Sequence, residues 1–249
     1  MNAKPLDHPI YGSIPHLPQS RLGPSDKQAS IGHVRIATEK PRDKCDLIIV
    51  SEKIDGSNVG VAKLPDSSLV PLIRSGYVAD TSPYLQHRYW ASWVYEHSHR
   101  FNSLLSNGEW CVGEWCIQAH GTKYTFLDEP FFLFDIFSTD KRITKLQLDL
   151  RNNSLLKPFC CPRVFFCANS ALPVCEASAV LGDHGFHGAL DKAEGAVWRV
   201  ERNGMVDFLC KYVRPQKYDG IYLPEIAGTH YIVWNEWGSD CQSLKHLLR

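Results

Sequence analysis

The segment Ser51–Asn58 reads SEKIDGSN and places Glu, Lys and Asp within four positions. The apolar run DLIIV (46–50) precedes it and VGVA (59–62) follows it, which predicts a tight turn between two buried strands. A turn explains the glycine of this segment, but it does not explain a lysine beside the core. An amine attacks only when it is deprotonated, and desolvation or neighbouring cations lower its pKa. Lys53 is therefore a candidate nucleophile, although Lys-x-Asp-Gly alone is more often a solvated turn.

Further charged and aromatic residues lie on or beside apolar runs later in the chain. They are Arg74 in IRSG, Glu114 in VGEW, Phe134 in FFLFDIF, Glu194 in AEGAVW and Lys211 in FLCKYVRP. Each has an ordinary structural explanation as a surface charge or a core ring. Together they suggest side chains that project from several strands into one cleft. Cations suit phosphates, carboxylates suit ribose hydroxyls or a metal ion, and an aromatic face suits a base, so the set fits a nucleotide.

The elements that must position these residues are predicted to be mostly short strands. Turn residues separate HVRIAT, CDLIIVSEK, SNVGVAKL and SLVPLIRSGY, and GEWCVGEWCIQAHG and PFFLFDIF are also strand-like. Helical spacing of aromatic residues predicts a helix over 84–106, and 141–183 is predicted to be mostly helical and connective. AEGAVWRVE and MVDFLCKYV flank Asn203-Gly204 and predict a hairpin. The predicted fold class is α+β, with antiparallel sheets flanked by helices.

Composition excludes several classes of protein. The 249 residues are 44% hydrophobic and 22% charged with zero formal net charge, which is typical of a globular chain and argues against a general nucleic-acid coat. No secretory signal or membrane-length apolar run is visible, so we expect a soluble, cytoplasmic protein. The nine cysteines are irregularly spaced without a CxxC pair, which favours buried thiols over a zinc site or disulfides.

The ordered series resembles the covalent nucleotidyltransferase superfamily, which comprises ATP-dependent DNA and RNA ligases and mRNA capping enzymes. Within it, the RNA ligase 2 type is the most similar. Asn58 stands two residues after the motif glycine, where DNA ligases and capping enzymes usually have arginine. GEWCIQAHGTKY followed by FFLFDIF also resembles the Gly-Glu and Phe-Asp-Ile segments of that type. The resemblance covers roughly 47–214.

The resemblance implies a role for each matched residue. Lys53 would attack the α-phosphorus of ATP and carry AMP as a phosphoramidate, and Lys211 would neutralise the α-phosphate. The residues implied to bind the nucleotide are Glu52 at the adenine, mainly through its backbone, Ile54 and Gly56 in the motif, Asn58 near the ribose or RNA end, Arg74 at phosphate, Glu114 at the ribose, Phe134 stacked on adenine, and Glu194. Glu194 would help to bind Mg²⁺ or Mn²⁺ or orient Lys53. The implied cofactors are ATP and one of these metal ions.

The resemblance also predicts the organisation of the chain. Residues 1–45, called the N-terminal arm, are rich in Pro and Gly and carry seven Lys/Arg against four acidic residues. We expect the arm to pack on a catalytic domain at 46–214, with a short tail at 215–249. Only 38 residues follow Lys211 (249 − 211), too few for a separate OB-fold domain. One departure stands out: the triplet aligned with the usual Lys-x-Lys motif is Leu209-Cys210-Lys211, or Lys211-Tyr212-Val213 if the alignment shifts by two, and either triplet has a single lysine.

Three functions remain open from the sequence. The first is an ATP-dependent RNA ligase that joins 5′-phosphate and 3′-hydroxyl RNA ends, with a nicked duplex as one form of substrate, in repair or processing. The second is a ligase of nicked DNA or mixed duplexes. The third is a self-adenylating module that needs a protein partner for strand binding or sealing. Leu209 and the minimal length favour the third, whereas Asn58 counts against the second.

Overall fold

The computed structural model describes residues 4–125, 128–139 and 141–237 and contains two antiparallel sheets. The four-stranded sheet, sheet A, has the order β7-β1-β8-β9, with β1 at Asp46–Lys53, β7 at Val164–Ala168, β8 at Gly195–Arg202 and β9 at Met205–Val213. The five-stranded sheet, sheet B, has the order β3-β2-β4-β5-β6. Its strands are β2 Ser57–Lys63, β3 Leu69–Ile73, β4 Trp110–Trp115, β5 Phe131–Ser138 and β6 Lys141–Arg142. The predicted α+β class with antiparallel sheets is confirmed.

Helices cover the sheets and form two main cores. The helices are α1 Ile31–Thr38, α2 Leu85–Glu96, α3 Ser98–Leu104, α4 Lys145–Asn153, α5 Val174–Leu181 and α6 Pro224–Ala227, with a 3₁₀ turn at Ala79–Thr81. Trp90 and Trp93 of α2 and Phe101 of α3 pack on Trp115 and Phe131 of sheet B. A second apolar cluster lies between sheet A and the helices α1 and α5. No helix among the described residues is long and apolar enough to cross a bilayer.

Local patterning predicted most of the strands that carry candidate site residues. β1, β2 and β3 match the predicted runs, and the predicted hairpin is present, with Arg202 paired to Met205 across Asn203-Gly204. Asn203 and Gly204 have φ of 51° and 74°, the positive values that a two-residue hairpin turn requires. The site therefore rests on elements whose sequence signals are local and strong.

One prediction about secondary structure was wrong, and two missed part of the structure. HVRIAT lies in α1 and is not a strand, because Ser30 Oγ accepts a hydrogen bond from His33 N and so caps a helix whose His33 ring stacks on Phe208 at 3.9 Å. The helix predicted over 84–106 divides into α2 and α3 at His97, whose ring nitrogen lies 2.8 Å from Trp93 O. The segment 141–183 is mostly helical and connective, as predicted, but it begins with the strand β6 and contains the strand β7, which pairs with β1, between its two helices.

Candidate active site

A cleft opens between the two sheets and brings most of the predicted site residues together. Sheet A contributes residues of β1, β8 and β9, and sheet B contributes residues of β2, β4 and β5. The predicted residues that line the cleft are Glu52, Lys53, Ile54, Asn58, Arg74, Glu114, Phe134 and Lys211. Gly56 and Glu194 lie outside this lining, although each touches a residue that belongs to it. Eight of the ten residues chosen from sequence thus share one cavity.

Lys53 is the last residue of β1, and its amine meets a buried carboxylate. Lys53 pairs with Gly195 in the β1–β8 register, which places Glu194 beside it. Lys53 Nζ donates a hydrogen bond of 2.7 Å to Glu194 Oε2, and the two side chains are 20% and 7% exposed. Burial lowers the pKa of Lys53, but Glu194, Glu114 and Asp55 together raise it above its usual value. The resting amine is therefore a charged ammonium that must lose a proton before it can attack.

Glu114 and Asn58 face each other across the β2–β4 pair on the opposite wall. Gly56 N donates to Glu114 Oε1 at 3.1 Å, and burial raises the pKa of Glu114 to about 7. Asn58 Oδ1 is buried without a hydrogen-bond partner among the described residues, so it is available to a ligand. A Cβ at Gly56 would lie 2.7 Å from Trp115 O, which shows that the glycine permits a close approach of this turn to β4.

Glu52 is held by a glycine-rich loop at 182–188. Its side chain is buried, and Oε2 accepts a hydrogen bond of 2.8 Å from Phe186 N. Oε1 has no hydrogen-bond partner among the described residues. Burial raises the pKa of Glu52 to about 7. Ile54 is also buried and packs on Phe132, so this end of the cleft combines an apolar wall with one carboxylate.

Two cations and an aromatic ring complete the predicted set. Arg74 follows β3 and is exposed, whereas Lys211 of β9 is half-buried. Burial, and next the charge of Lys53, lower the pKa of Lys211. Phe134 of β5 lies in the cleft wall with the Tyr11 ring against it edge-on, at 5.2 Å between centroids.

The structure adds a buried ion pair that the sequence did not single out. Lys217 Nζ lies 2.8 Å from Asp55 Oδ2, and Lys217 also donates to Thr122 Oγ1. Gly121 N donates to the same Asp55 oxygen at 2.9 Å. Burial would raise the pKa of Asp55, but Lys217 and Lys53 hold it below its usual value. Asp55 stood inside the quoted Lys-x-Asp-Gly motif, whereas no local signal marked Lys217.

A comparison with known protein families found a match for the part of the chain that forms this cleft. The model of the RNA ligase family matches residues 46–213, which is more than half of the chain and includes both walls of the cleft. The chain belongs to the RNA ligase family. This confirms the resemblance to covalent nucleotidyltransferases. A comparison with curated protein sequences produced no match.

Solved RNA ligases share the fold at low sequence identity. An apo variant of Naegleria gruberi RNA ligase superposes with a TM-score of 0.53 and 15% identity, over 84% of this chain and 57% of that one. A Naegleria gruberi RNA ligase variant with ATP and Mn superposes with a TM-score of 0.48 and 17% identity, over 68% of this chain and 50% of that one. An archaeal ATP-dependent RNA ligase superposes with a TM-score of 0.46 and 19% identity, over 82% of this chain and 48% of that one. The chain spans about half the length of the RNA ligase structures it matches.

The departure at Leu209 has a structural context in this RNA ligase family member. Leu209 faces the cleft and pairs with Arg199 of β8. The Arg199 guanidinium also lines the cleft, where Nη1 contacts Asp135 Oδ1 and Nε contacts Glu201 Oε1, at 2.6 and 2.7 Å. A cation therefore stands at the level of Leu209, but it comes from the neighbouring strand and is already paired.

Proposed function

We propose that this chain is an ATP-dependent RNA ligase in which Lys53 forms a covalent adduct with AMP. The observation that carries the proposal is the Lys53 amine, fixed at the end of β1 by Glu194 at 2.7 Å, in a cleft shared with Lys211 and Arg74. A nucleophile, a carboxylate able to take its proton, and cations for the phosphates are the groups that adenylyl transfer needs. Membership of the RNA ligase family supports the same reaction.

The cleft offers complementary groups for each part of ATP. Phe134 supplies a ring face for the adenine, with Ile54 as an apolar neighbour. Glu52 Oε1, which lacks a partner among the described residues, would accept a hydrogen bond from the exocyclic amine of the base. Glu114 and Asn58 lie together on the other wall, where they would hold the ribose hydroxyls. Base and sugar would thus fix the α-phosphate next to Lys53.

The proposed chemistry begins with proton transfer from Lys53 to Glu194. The free amine attacks the α-phosphorus, a nitrogen–phosphorus bond forms, and pyrophosphate leaves. Lys211 balances the charge that develops on the α-phosphate, and Arg74 contacts the departing phosphates. AMP then passes to an RNA 5′-phosphate, and attack by a 3′-hydroxyl expels AMP and seals the strand.

A divalent metal ion fits the charge of this site. Glu194, Glu114 and Asp55 supply three carboxylates against the two ammonium groups of Lys53 and Lys217, and carboxylate oxygens suit Mg²⁺ or Mn²⁺. No cluster of three metal-ligating side chains is preformed among the described residues. Glu194 would therefore hold the ion together with phosphate oxygens. When bound, it would shield the triphosphate and favour loss of pyrophosphate.

Joining assays with matched acceptors test the proposed substrate. Labelled 5′-phosphate strands of RNA and of DNA, single-stranded or in a nicked duplex, would be incubated with the protein, ATP and Mg²⁺ or Mn²⁺. The proposal predicts ATP-dependent joining of RNA ends and none by Lys53→Ala. Preferential sealing of DNA would replace it with the DNA ligase alternative. Adduct formation without sealing would support the module that requires a partner.

A further inference from the structure

The N-terminal arm touches three parts of the cleft although it precedes the segment matched by the family model. Ile10 N donates to Arg74 O at 3.1 Å, which ties the arm to the loop after β3. Tyr11 OH donates to Asp135 Oδ2 at 2.9 Å, and both Tyr11 and Gly12 line the cleft. The arm then crosses to sheet A, so it connects the two walls of the candidate site.

The arm adds hydrogen bonds along the outer edge of β9 at Lys211. Lys211 N donates to Pro15 O at 2.9 Å, and Leu17 N donates to Lys211 O at 2.7 Å. His16 thereby pairs with Lys211 in parallel orientation, and Leu17 is buried in the core of sheet A. Backbone pairing on both sides fixes the Cα position from which the Lys211 side chain enters the cleft.

The arm also places a carboxylate beside the Lys211 ammonium. Asp26 Oδ1 lies 4.0 Å from Lys211 Nζ, and Asp26 Oδ2 accepts a hydrogen bond of 2.8 Å from Gly23 N. His16 Nε2 lies 3.2 Å from Asp26 Oδ2, and the His16 ring is only 2% exposed. Asp26 is therefore fixed by its own turn and by a buried ring. It is the one carboxylate within 4.0 Å of Lys211 Nζ among the described residues.

The other charged groups around Lys211 include two cations that repel its ammonium. Lys53 and Arg74 repel the ammonium, whereas Glu194, which is paired with Lys53, attracts it. A lysine side chain is long and flexible, so repulsion from two cations would turn it towards solvent. β9 has Leu209 and no second lysine, so Lys211 is the single cationic side chain of this strand. We propose that Asp26 is a positioning residue that aims the Lys211 ammonium at the α-phosphate, an inference that rests on the proposed adenylyl transfer.

The rate of Lys53–AMP formation, measured over a range of ATP concentrations, tests this role. Asp26→Asn keeps the shape and the oxygen that accepts from Gly23, and it removes only the charge. We expect the rate at saturating ATP to fall about 5-fold, as loss of a partly exposed ion pair implies. The half-saturating ATP concentration should not rise, because removing a negative charge does not weaken phosphate binding. Asp26→Glu should recover part of the rate.

A double-mutant cycle separates positioning from a general effect on the fold. In a Lys211→Met background, Asp26→Asn should change the rate less than about 2-fold, because Asp26 then has no ammonium to aim. Asp219→Asn is the matched control, since it breaks the outer ion pair of the arm with Arg21 at 2.8 Å and leaves Lys211 untouched.

Three results would overturn the inference while leaving the ligase proposal in place. They are a wild-type rate for Asp26→Asn, an equal loss in the Lys211→Met background, and an equal loss in Asp219→Asn. Absence of any adduct in the wild-type protein would instead remove the proposed function and this inference with it. Melting temperatures recorded in parallel would show whether a slow variant is folded.

Discussion

Two glycines lie in the loop that packs on Glu52, beside the proposed adenine-binding site. Replacing each of them with alanine tests this packing. Gly182 and Gly185 both have a positive φ, of 63° and 62°, which favours glycine, and the ψ of Gly182 is −160°. A Cβ at Gly185 would lie 2.0 Å from Glu52 Oε1, whereas a Cβ at Gly182 meets no atom within 4 Å. Alanine therefore strains the backbone at both positions but displaces Glu52 at only one of them.

The expected losses of stability follow from these contacts. Alanine in the left-handed region costs about 1–2 kcal/mol, and the reduced entropy of the unfolded chain returns about 0.4–1 kcal/mol. Because the combination of φ and ψ at Gly182 is almost restricted to glycine, Gly182→Ala should lower the free energy of unfolding by about 1–2 kcal/mol. Gly185→Ala should also break the bond from Phe186 N to the Glu52 carboxylate, worth about 1.5–3 kcal/mol, for a total near 3 kcal/mol.

Urea unfolding and adenylylation kinetics together check this reasoning. We expect Gly185→Ala to unfold at lower urea than Gly182→Ala and to need more ATP for half-maximal adduct formation, because Glu52 no longer faces the base. Gly182→Ala should keep the wild-type ATP dependence. A Gly185→Ala variant as stable as the wild-type protein would refute the close packing of Gly185 on Glu52. A separation in stability with unchanged ATP dependence would refute the role of Glu52 at the adenine.

Two further predictions concern buried polar groups near the cleft. Lys217→Met leaves the Asp55 carboxylate, which is only 15% exposed, without its ion-pair partner and should lower the free energy of unfolding by about 3 kcal/mol. Lys123→Met, at a more exposed pair 3.7 Å apart, should have almost no effect, and equal urea midpoints for the two variants would contradict this. Burial, and next the charge of His120, lower the pKa of His87 to about 4. The unfolded chain then binds more protons between pH 6.5 and 4, so stability should fall by about 2 kcal/mol as pH decreases through that window, and His87→Gln should flatten the decrease in a urea titration.

Local signals account for the parts of the site that were predictable. The apolar run, the Gly turn and the second run place Lys53 at the end of β1, and Asn203-Gly204 sets the β8–β9 hairpin that carries Lys211. In both places neighbouring residues decide the backbone, so a short window of sequence contains the information. Joint occurrence of the motif residues supplied the rest, because no single residue distinguished a cleft from a solvated strand.

The remaining features depend on contacts between distant parts of the chain. Tyr11 contacts Asp135, and Asp26 contacts Lys211. The residues of each pair are far apart in the sequence, so no local pattern predicts these contacts. The alternation in HVRIAT predicted a strand, but Ser30 caps the segment and its packing against sheet A favours a helix. Tertiary packing outweighs weak local preference in such short segments, so the arm could be predicted as ordered but its contacts could not.

Formation of a covalent nucleotide adduct tests the central claim most directly. Purified protein would first be treated with pyrophosphate to remove any AMP already attached. It would then be incubated with α-labelled ATP and Mg²⁺ or Mn²⁺, denatured and examined for a labelled band beside Lys53→Ala. We predict a labelled band for the wild-type protein and none for Lys53→Ala. A wild-type protein that remains unlabelled with both metal ions, or an equally labelled Lys53→Ala variant, would contradict the assignment of Lys53 as the nucleophile.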